Sequence, residues 1–278
     1  MGRVVPGAVL ITTDLDRTLI FSPRASSQLG GGLPADAVEL SGGRSAGELC
    51  HAARDALTAL PASTQICVAT SRSVSRLTRL RLPFALRYAI AANGGVVLVD
   101  GVPDPQWAAR IRRLLARAAP AARVRALLAG APWLARMGDE DEMCALAIVD
   151  ESRLAPEQLA AIADRCGELG WAASLIGRKL YAFPAGFGKE HAAAYVSEQV
   201  AAEAGTAPLR LAAGDTEHDR LMLAEADQAW VPAGSELARS VAGGGAGISR
   251  ARITRQPGHA AAAQITRDWL ATCPRGRC

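Results

Sequence analysis

The sequence is short of lysine, of aromatic residues and of long apolar runs. Among its 31 basic side chains only Lys179 and Lys189 are lysines. Each of them raises the question of why arginine would not serve, because a compact ammonium and a planar guanidinium differ at a crowded site; chance retention is the simpler alternative. Aromatic residues make up only 4% of the 278 residues and hydrophobic residues 50%, so Ala, Leu and Val must fill the interior. No run of 18 apolar residues occurs, which argues against a membrane-spanning helix.

The cysteines argue against a metal site built from sulfur ligands. The six cysteines include no CxxC pair, so metal binding by sulfur is not expected. Two of them, Cys273 and Cys278, lie in a Pro/Gly/Arg tail that we expect to be disordered and unpaired. The other four lie in apolar periodic segments and are predicted to be buried thiols: Cys50, Cys67, Cys144 and Cys166.

The net charge of +4 is modest, and the arginines are scattered over helical segments. This pattern favours solvated helix faces over a nucleic-acid surface. The start of the chain enters a strand almost at once and shows no signal-peptide h-region of the usual form. We therefore expect a cytoplasmic protein that binds neither nucleic acid nor a membrane, and the sequence leaves its oligomeric state open.

The pattern of apolar segments predicts an α/β domain that is interrupted by an α+β insert. Buried strands with intervening helices are predicted before residue 99 and again after residue 184. Between them the order is helix, two strands, helix, two strands, with an acidic turn over 139–142. The predicted organisation is a discontinuous core of residues 1–98 and 185–278 and an inserted domain of residues 99–184.

The connection after the first strand is predicted to be a loop from Ser22 to Arg44. Loops of this length in compact domains are usually functional or mobile. Ser45 and Glu48 have the spacing of a capping box, which predicts a helix that begins there and ends before Pro61.

Asp14 and Asp16 directly follow the first predicted strand, Val9–Thr13. Residues two apart on a strand point to the same side, so both carboxylates would leave the carboxyl end of the strand, where open α/β sheets bind ligands. Adjacent carboxylates repel each other unless a cation or a shared proton relieves them, and oxygen ligands favour Mg²⁺. One carboxylate could then attack phosphorus while the other transfers the proton. The simpler alternative is an Asp-x-Asp turn that caps the next helix.

Three further elements lie at or beside the ends of predicted strands. Thr70 and Ser71 follow the second core strand, Lys189 begins a helix, and Gly214 and Asp215 end a later strand. Each has a simple alternative when taken alone: a helix cap, a solvated lysine or a turn. Their joint occurrence in this order is much harder to explain by chance.

In this order the four elements resemble the motifs of the haloacid dehalogenase (HAD) phosphohydrolase superfamily, and the resemblance covers essentially the whole chain. The matching residues, from the first motif to the fourth, are Asp14, Asp16 and Thr18, then Thr70 with Ser71, then Lys189, then Gly214, Asp215 and Asp219. The insert resembles the C2B cap of subclass IIB, a group that includes Cof-type sugar phosphatases, sucrose-phosphate phosphatase, mannosyl-3-phosphoglycerate phosphatase and phosphomannomutase. The resemblance implies a Rossmann-like HAD core with a parallel sheet, into which an αββαββ cap domain is inserted.

The sequence departs from the family pattern at two positions. Many relatives have glycine after the second aspartate of the first motif, where this chain has Arg17. Many have asparagine before the final aspartate of the fourth motif, where this chain has His218. Neither change removes a carboxylate, so the implied chemistry is kept while the rim of the site can differ.

The resemblance also implies a role for each matching residue. Asp14 would be the nucleophile that forms an aspartyl-phosphate, and Asp16 would be the general acid and base. Thr70 and Lys189 would neutralise the phosphoryl oxygens. Mg²⁺ would be held by Asp14, by Asp16 through its backbone carbonyl, and by Asp215, while Asp219 would hold the metal site or Lys189 in place.

Six residues are candidates for substrate binding: Thr18, Ser71, Arg72, Asn93, Arg136 and Arg178. Asn93 lies in an Asn-Gly-Gly turn that resembles the one leading into the family's cap. Arg136 and Arg178 lie in or beside predicted cap strands, where they could meet a second anionic group or sugar hydroxyls. That both are ordinary surface cations is an equally good interpretation.

The function implied is a Mg²⁺-dependent phosphatase that hydrolyses a small phosphorylated metabolite, such as a sugar phosphate or a related phosphomonoester. A phosphomutase of the phosphomannomutase type would use the same aspartyl-phosphate and stays open as an alternative. A receiver-like signalling module is disfavoured, because receivers are much shorter and place the acceptor aspartate mid-chain. A catalytically dead binding protein is disfavoured because Asp14 and Asp215 are both present.

Overall fold

The computed structural model describes residues 7–30, 32–138, 142–243, 247–248 and 250–274. The chain forms two units, a core of Met1–Pro103 with Gly188–Cys278 and an insert of Asp104–Phe187. The boundaries predicted from the sequence are at 98/99 and 184/185, a few residues before these.

The strands in chain order are β1 (Val9–Thr13), β2 (Ala35–Ser41), β3 (Arg44–Cys50), β4 (Thr64–Ala69), β5 (Tyr88–Ala91), β6 (Val96–Val99), β7 (Val102–Pro103), β8 (Leu134–Met137), β9 (Ala145–Val149), β10 (Trp171–Ile176), β11 (Lys179–Pro184), β12 (Leu209–Ala213), β13 (Gln228–Val231) and β14 (Arg252–Ile253). The α-helices are α1 (Pro23–Leu29), α2 (His51–Thr58), α3 (Val74–Leu77), α4 (Pro105–Leu115), α5 (Ala121–Leu128), α6 (Pro156–Glu168), α7 (Lys189–Ala204), α8 (Arg220–Ala224), α9 (Glu236–Ala242) and α10 (Gly258–Thr272).

The core contains an eight-stranded sheet in the order β14-β13-β12-β1-β4-β5-β6-β7. The pairs from β14 to β5 are parallel, and β6 and β7 extend the sheet in antiparallel fashion. Every residue of β1 is buried, as expected for a central strand of a parallel sheet with both faces covered. Because β12 and β4 flank β1, the carboxyl ends of all three strands meet at one edge of the sheet.

The segment predicted to be a loop from Ser22 to Arg44 is structured, so that prediction was wrong. It contains helix α1, which Ser22 caps by accepting a hydrogen bond from the Ala25 amide, and strand β2, which pairs with β3. Gly42 and Gly43 both have positive φ (55° and 75°) and connect β2 to β3. A two-residue Gly-Gly turn of this kind is a strong hairpin signal.

The capping box predicted at Ser45 and Glu48 was also wrong, because both residues lie in strand β3 and the helix begins at His51. The two side chains do meet, since the Ser45 hydroxyl donates to Glu48 Oε1 at 3.0 Å. The same spacing is therefore satisfied by a side-chain contact within the hairpin, which has irregular register nearby.

The insert, described by itself, has a four-stranded antiparallel sheet in the order β10-β11-β9-β8. The predicted helix, two strands, helix, two strands are present, and two helices, α4 and α5, precede the first strand pair. Its core is made of buried side chains on both sheet and helices, including Trp133, Val149, Cys166 and Trp171. Residues 139–141 of the predicted acidic turn lie outside the described residues.

The prediction of a disordered Cys273 was wrong, because this residue is 3% exposed and packs in the core cluster. Helix α10 continues to Thr272 and so carries the cysteine into the interior. Cys50, Cys67 and Cys166 are buried as predicted, Cys144 is half-buried, and none of these four or Cys273 forms a disulfide within the described residues. Cys278 lies outside the described residues. Among those described, no helix has both the length and the hydropathy needed to cross a membrane.

Two tryptophans in the core provide a matched test of stability. Trp230 and Trp269 are both fully buried and pack edge to face, with ring centroids 6.3 Å apart. Trp230 Nε1 donates to Asp268 Oδ2 at 2.9 Å, whereas Trp269 Nε1 has no hydrogen-bond partner among the described residues. Replacement by phenylalanine removes comparable volume at either position, but only Trp230→Phe breaks a hydrogen bond.

We expect Trp230→Phe to lower the free energy of unfolding by about 1 kcal/mol more than Trp269→Phe does, since that is the typical net value of a hydrogen bond. Urea unfolding of the two variants followed by circular dichroism measures the difference. A greater loss for Trp269→Phe would contradict the assignment of the hydrogen bond.

Candidate active site

Asp14 and Lys189 form the centre of the site. Asp14 directly follows β1, and its backbone amide donates to the Ala213 carbonyl at the end of β12. Lys189 is the first residue of α7 and is buried. Its Nζ donates to Asp14 Oδ1 at 2.6 Å and to Asp219 Oδ1 at 2.7 Å. Burial opposes the charged form of Lys189, but the two aspartates outweigh it and raise the pKa of the lysine.

Asp219 is fully buried and accepts hydrogen bonds on both carboxylate oxygens. Oδ1 accepts from Lys189, while Oδ2 accepts from the backbone amides of Asp215 and Thr216 at 3.1 and 3.0 Å and from the Thr216 hydroxyl at 3.0 Å. A Cβ on Gly214 would lie 2.4 Å from Asp219 Cβ, so only glycine allows this close approach. Asp219 therefore fixes both the lysine and the loop that carries Asp215.

Three buried carboxylates converge at this point. Asp14, Asp215 and Asp219 each place an oxygen within 4.8 Å of the others. Burial raises the pKa of Asp14 to about 7 against the opposing pull of Lys189, and Asp219 and Asp16 add to the rise. Burial also raises the pKa of Asp215 well above its ordinary value, with a further contribution from Asp14 and Asp219. The lysine alone does not balance this cluster of negative charge.

Asp16 lies beside the cluster but is far more accessible, with 52% of its side chain exposed. Its two carboxylate oxygens accept from Nε and Nη2 of Arg72, both at 2.7 Å. Nη1 of Arg72 donates to Glu39 Oε2 at 2.8 Å. Burial disfavours the charged guanidinium, but Asp16 and Glu39 outweigh this and raise the pKa of Arg72.

The other core candidates lie on the loops around Asp14. Thr70 follows β4, and its hydroxyl accepts from the Arg72 amide at 3.2 Å, while the neighbouring Ser71 is exposed. Thr18 and Asn93 are buried, and the hydroxyl of Thr18 and Oδ1 of Asn93 find no hydrogen-bond partner in the described part of the chain. Thr18 and Asn93 therefore each carry a buried polar atom that could still form a hydrogen bond.

The turn that contains Asn93 also positions the lysine. Gly94 has a φ of 100°, and a Cβ there would lie 2.3 Å from the Gly188 carbonyl oxygen. The backbone amide of Asn93 donates to the Thr70 carbonyl at 2.9 Å. The turn at residues 93–94 therefore contacts the backbone of Thr70 and the backbone just before Lys189, and the second contact leaves no room for a side chain at residue 94.

The two departures from the family pattern lie around the same cluster. Arg17 is exposed and has a φ of 64°, a left-handed conformation that glycine adopts more readily. Its charge lowers the pKa of Asp215 slightly against the larger effect of burial. Burial and the charge of Lys189 lower the pKa of His218 to about 4, so this histidine is neutral at pH 7.

Arg136 and Arg178 belong to the insert. Arg136 is exposed in β8, and its Nη1 donates to the Met137 carbonyl at 3.4 Å. Arg178 lies in the turn between β10 and β11, where its Nε donates to the Val149 carbonyl at 3.4 Å. Their part in substrate binding stays a prediction.

Sequence reasoning missed Glu39. This residue was assigned to a loop, whereas it lies in β2 and binds Arg72. The Gly-Gly pair at residues 42–43 is the sequence signal that could reveal the hairpin. No local feature of the sequence identifies Arg72 as the partner.

Known proteins resemble this chain in structure but not in sequence. No family model matches the sequence, and no curated protein sequence matches it. Among solved structures, the sucrose-phosphatase of Synechocystis sp. PCC6803, in complex with sucrose and phosphate, is similar with a TM-score of 0.66 and 14% identity, over 95% of this chain and 98% of that one.

Two further structures are similar over nearly the whole chain. A phosphatase of the haloalkanoate (HAD) enzyme superfamily from Bacteroides thetaiotaomicron has a TM-score of 0.56 and 17% identity, over 97% of both chains. A trehalose-6-phosphate phosphatase related protein has a TM-score of 0.53 and 13% identity, over 95% of this chain and 97% of that one. The predicted fold class is confirmed: this chain has the fold of the HAD-superfamily phosphatases.

Proposed function

We propose that this protein is a Mg²⁺-dependent phosphatase that hydrolyses a small phosphomonoester through an aspartyl-phosphate on Asp14. The observation that carries the proposal is the buried cluster of Asp14, Asp215 and Asp219 with Lys189 between two of them. The cluster lies at the carboxyl ends of parallel strands, which is where open α/β sheets bind ligands. The fold shared with HAD phosphatases supports the same chemistry.

The donor set fits a magnesium ion. The side chains that could bind the ion, those of Asp14, Asp215 and Asp219, all present carboxylate oxygens, which Mg²⁺ prefers. Burial, with a smaller contribution from the neighbouring carboxylates, raises the pKa values of Asp14 and Asp215, and a divalent cation would favour their charged forms. Both oxygens of Asp219 already accept hydrogen bonds, so Asp14 and Asp215 are the better ligands. When bound, the ion would polarise the phosphoryl group and neutralise charge on its oxygens.

In the first step Asp14 attacks phosphorus in line. An Asp14 oxygen–phosphorus bond forms as the bond from phosphorus to the leaving oxygen breaks, and Asp16 protonates that oxygen. In the second step Asp16 takes a proton from water, and the water oxygen attacks phosphorus. The bond from phosphorus to the Asp14 oxygen breaks, which releases inorganic phosphate and restores the Asp14 carboxylate. Lys189 holds Asp14 in place throughout, because its ammonium bridges Asp14 to the fixed carboxylate of Asp219.

The substrate we propose is a sugar phosphate or a related phosphorylated metabolite. Two of the similar structures are a sucrose-phosphatase and a trehalose-6-phosphate phosphatase related protein, which supports this class. Thr18, Ser71, Thr70 and Asn93 offer hydroxyl and amide groups to the phosphoryl group on the core side. Arg136 and Arg178 of the insert are proposed to bind the leaving group.

Removal of the metal should abolish activity, and the affinity for Mg²⁺ should depend on pH. Asp14 has a pKa of about 7 without the ion, so below pH 7 the ion must displace a proton. We expect the apparent Kd for Mg²⁺ to rise as the pH falls below 7, by about tenfold per pH unit for each ligand carboxylate that is protonated. Calorimetric titration at pH 6, 7 and 8 measures this. Hydrolysis that survives a chelator, or a Kd that does not change with pH, would contradict the site.

Asp14→Asn should abolish turnover, because an amide is neither a nucleophile nor an anionic ligand. Asp16→Asn should lower kcat/KM more than ~10²-fold for a sugar phosphate, whose alkoxide leaving group needs the proton. The loss should be milder for 4-nitrophenyl phosphate, whose leaving group hardly needs it. Equal losses for both substrates would argue against Asp16 as the general acid.

Lys189→Arg should not be conservative. The ammonium lies within 2.7 Å of two carboxylates in a buried site, and the wider guanidinium would displace one of them. We expect kcat/KM for 4-nitrophenyl phosphate to fall at least ~10-fold, on the order of 1.4 kcal/mol. Lys179→Arg is the matched control, because Lys179 is exposed in β11 and the change should have little effect. Full activity of Lys189→Arg would remove the role assigned to the lysine.

A further inference from the structure

Arg72 is a buried arginine whose guanidinium is shared between two carboxylates from different parts of the core. Only 4% of its side chain is exposed. Two of its nitrogens bind Asp16 and the third binds Glu39, at distances of 2.7 to 2.8 Å. Asp16 belongs to the loop after β1, whereas Glu39 belongs to the β2–β3 hairpin.

The hairpin is built to direct Glu39 toward Arg72. Glu39 lies opposite Gly47, and the register of the strand pair shifts on both sides of Glu39. Such bulges change the direction in which a side chain points and are common beside active sites. A Cβ on Gly47 would lie 3.4 Å from both Cβ and Oε2 of Glu39, so the Glu39 side chain lies beside this residue of the partner strand.

The backbone of Arg72 is fixed as well. Its amide donates to the Thr70 hydroxyl at 3.2 Å, and its carbonyl accepts from the Ala92 amide at 2.7 Å. The side chain of Glu39 is only 11% exposed, and a buried carboxylate without a partner is costly, so Glu39 is held on Arg72. The position of the guanidinium is thus set by Glu39 on one side and by Asp16 on the other.

We propose that Glu39 is a positioning residue for proton transfer, which anchors Arg72 so that its guanidinium stays in place while Asp16 moves to and from the leaving oxygen. Of the two carboxylates bound to Arg72, Asp16 is half-exposed and Glu39 is only 11% exposed, so Asp16 is the one that can leave the ion pair. Without Glu39, the arginine would have a single carboxylate partner and would follow it. The inference rests on the proposed function, since it assigns Asp16 to the proton transfers.

A purely structural role for Glu39 predicts a different outcome. If the Glu39–Arg72 pair only attaches the hairpin to the core, its loss should lower stability or slow all substrates alike. If Glu39 positions Asp16, its loss should slow most those substrates whose leaving group needs a proton. Phenyl phosphate and 4-nitrophenyl phosphate separate the two roles, because both are small aryl esters and the phenoxide leaving group needs protonation more.

The experiment compares kcat/KM of Glu39→Gln on the two esters. We expect the ratio of phenyl to 4-nitrophenyl phosphate to fall at least about fivefold, as a partial loss of general acid catalysis. Glu48→Gln is the matched control, because it removes the same charge from the same hairpin while Glu48 contacts Ser45 instead of Arg72. Its ratio should equal that of the unmodified protein.

A double-mutant cycle with Asp16→Asn completes the test. Once Asp16 cannot transfer a proton, Glu39→Gln should cause no further change in the ratio. If Glu39→Gln does not fold, as judged by circular dichroism, Glu39→Asp keeps the charge on a side chain one methylene shorter and should change the ratio in the same direction.

The outcomes separate the two hypotheses. Two results would overturn the positioning role alone, provided that the wild-type protein is active. One is an equal loss of activity on both esters in Glu39→Gln, and the other is a full effect of Glu39→Gln in the Asp16→Asn background. A wild-type protein that hydrolyses neither ester in the presence of Mg²⁺ overturns the proposed function and this inference with it.

Discussion

The site depends on one buried ammonium. Lys189 carries a positive charge into the interior, where burial opposes it, and only the simultaneous contact with Asp14 and Asp219 makes that charge stable. The arrangement links the end of β1, the start of α7 and the loop after β12, because each contributes one member. Removal of the lysine would leave Asp14 and Asp219 buried without their cation, and an uncompensated buried charge is far more costly than an ion pair is stabilising.

The sequence predicts the elements that follow general physical patterns. The parallel strands and the helix that begins at Lys189 follow from apolar periodicity, and the confirmed fold class follows from their order. The strand-end placement of Asp14 and Asp215 follows from the same periodicity, and the structure brings both into one cluster. These predictions succeed because burial of a central strand leaves little choice of register or direction.

The sequence does not predict contacts that depend on distant segments. Ser45 and Glu48 satisfy the spacing of a helix cap, yet the pairing of β3 with β2 outweighs that local preference. Cys273 lies in a tail of turn-forming residues and is nevertheless buried, because α10 extends further than its composition suggests. Arg72 has its partners 56 and 33 residues away, on two separate elements. Local propensity contains no information about such pairs.

The contact between Gly94 and Gly188 has a consequence for chain entropy. Both residues belong to the core, and their backbones approach too closely for a side chain between them. The stretch from one to the other, which includes the whole insert, is therefore a loop whose ends are joined within the core. Because the cost of closing a loop rises only by about 0.6 kcal/mol for each doubling of its length, the core can tolerate inserts of very different size at this point. A fold closed in this way can exchange its inserted domain for another of different length while the core stays almost equally stable.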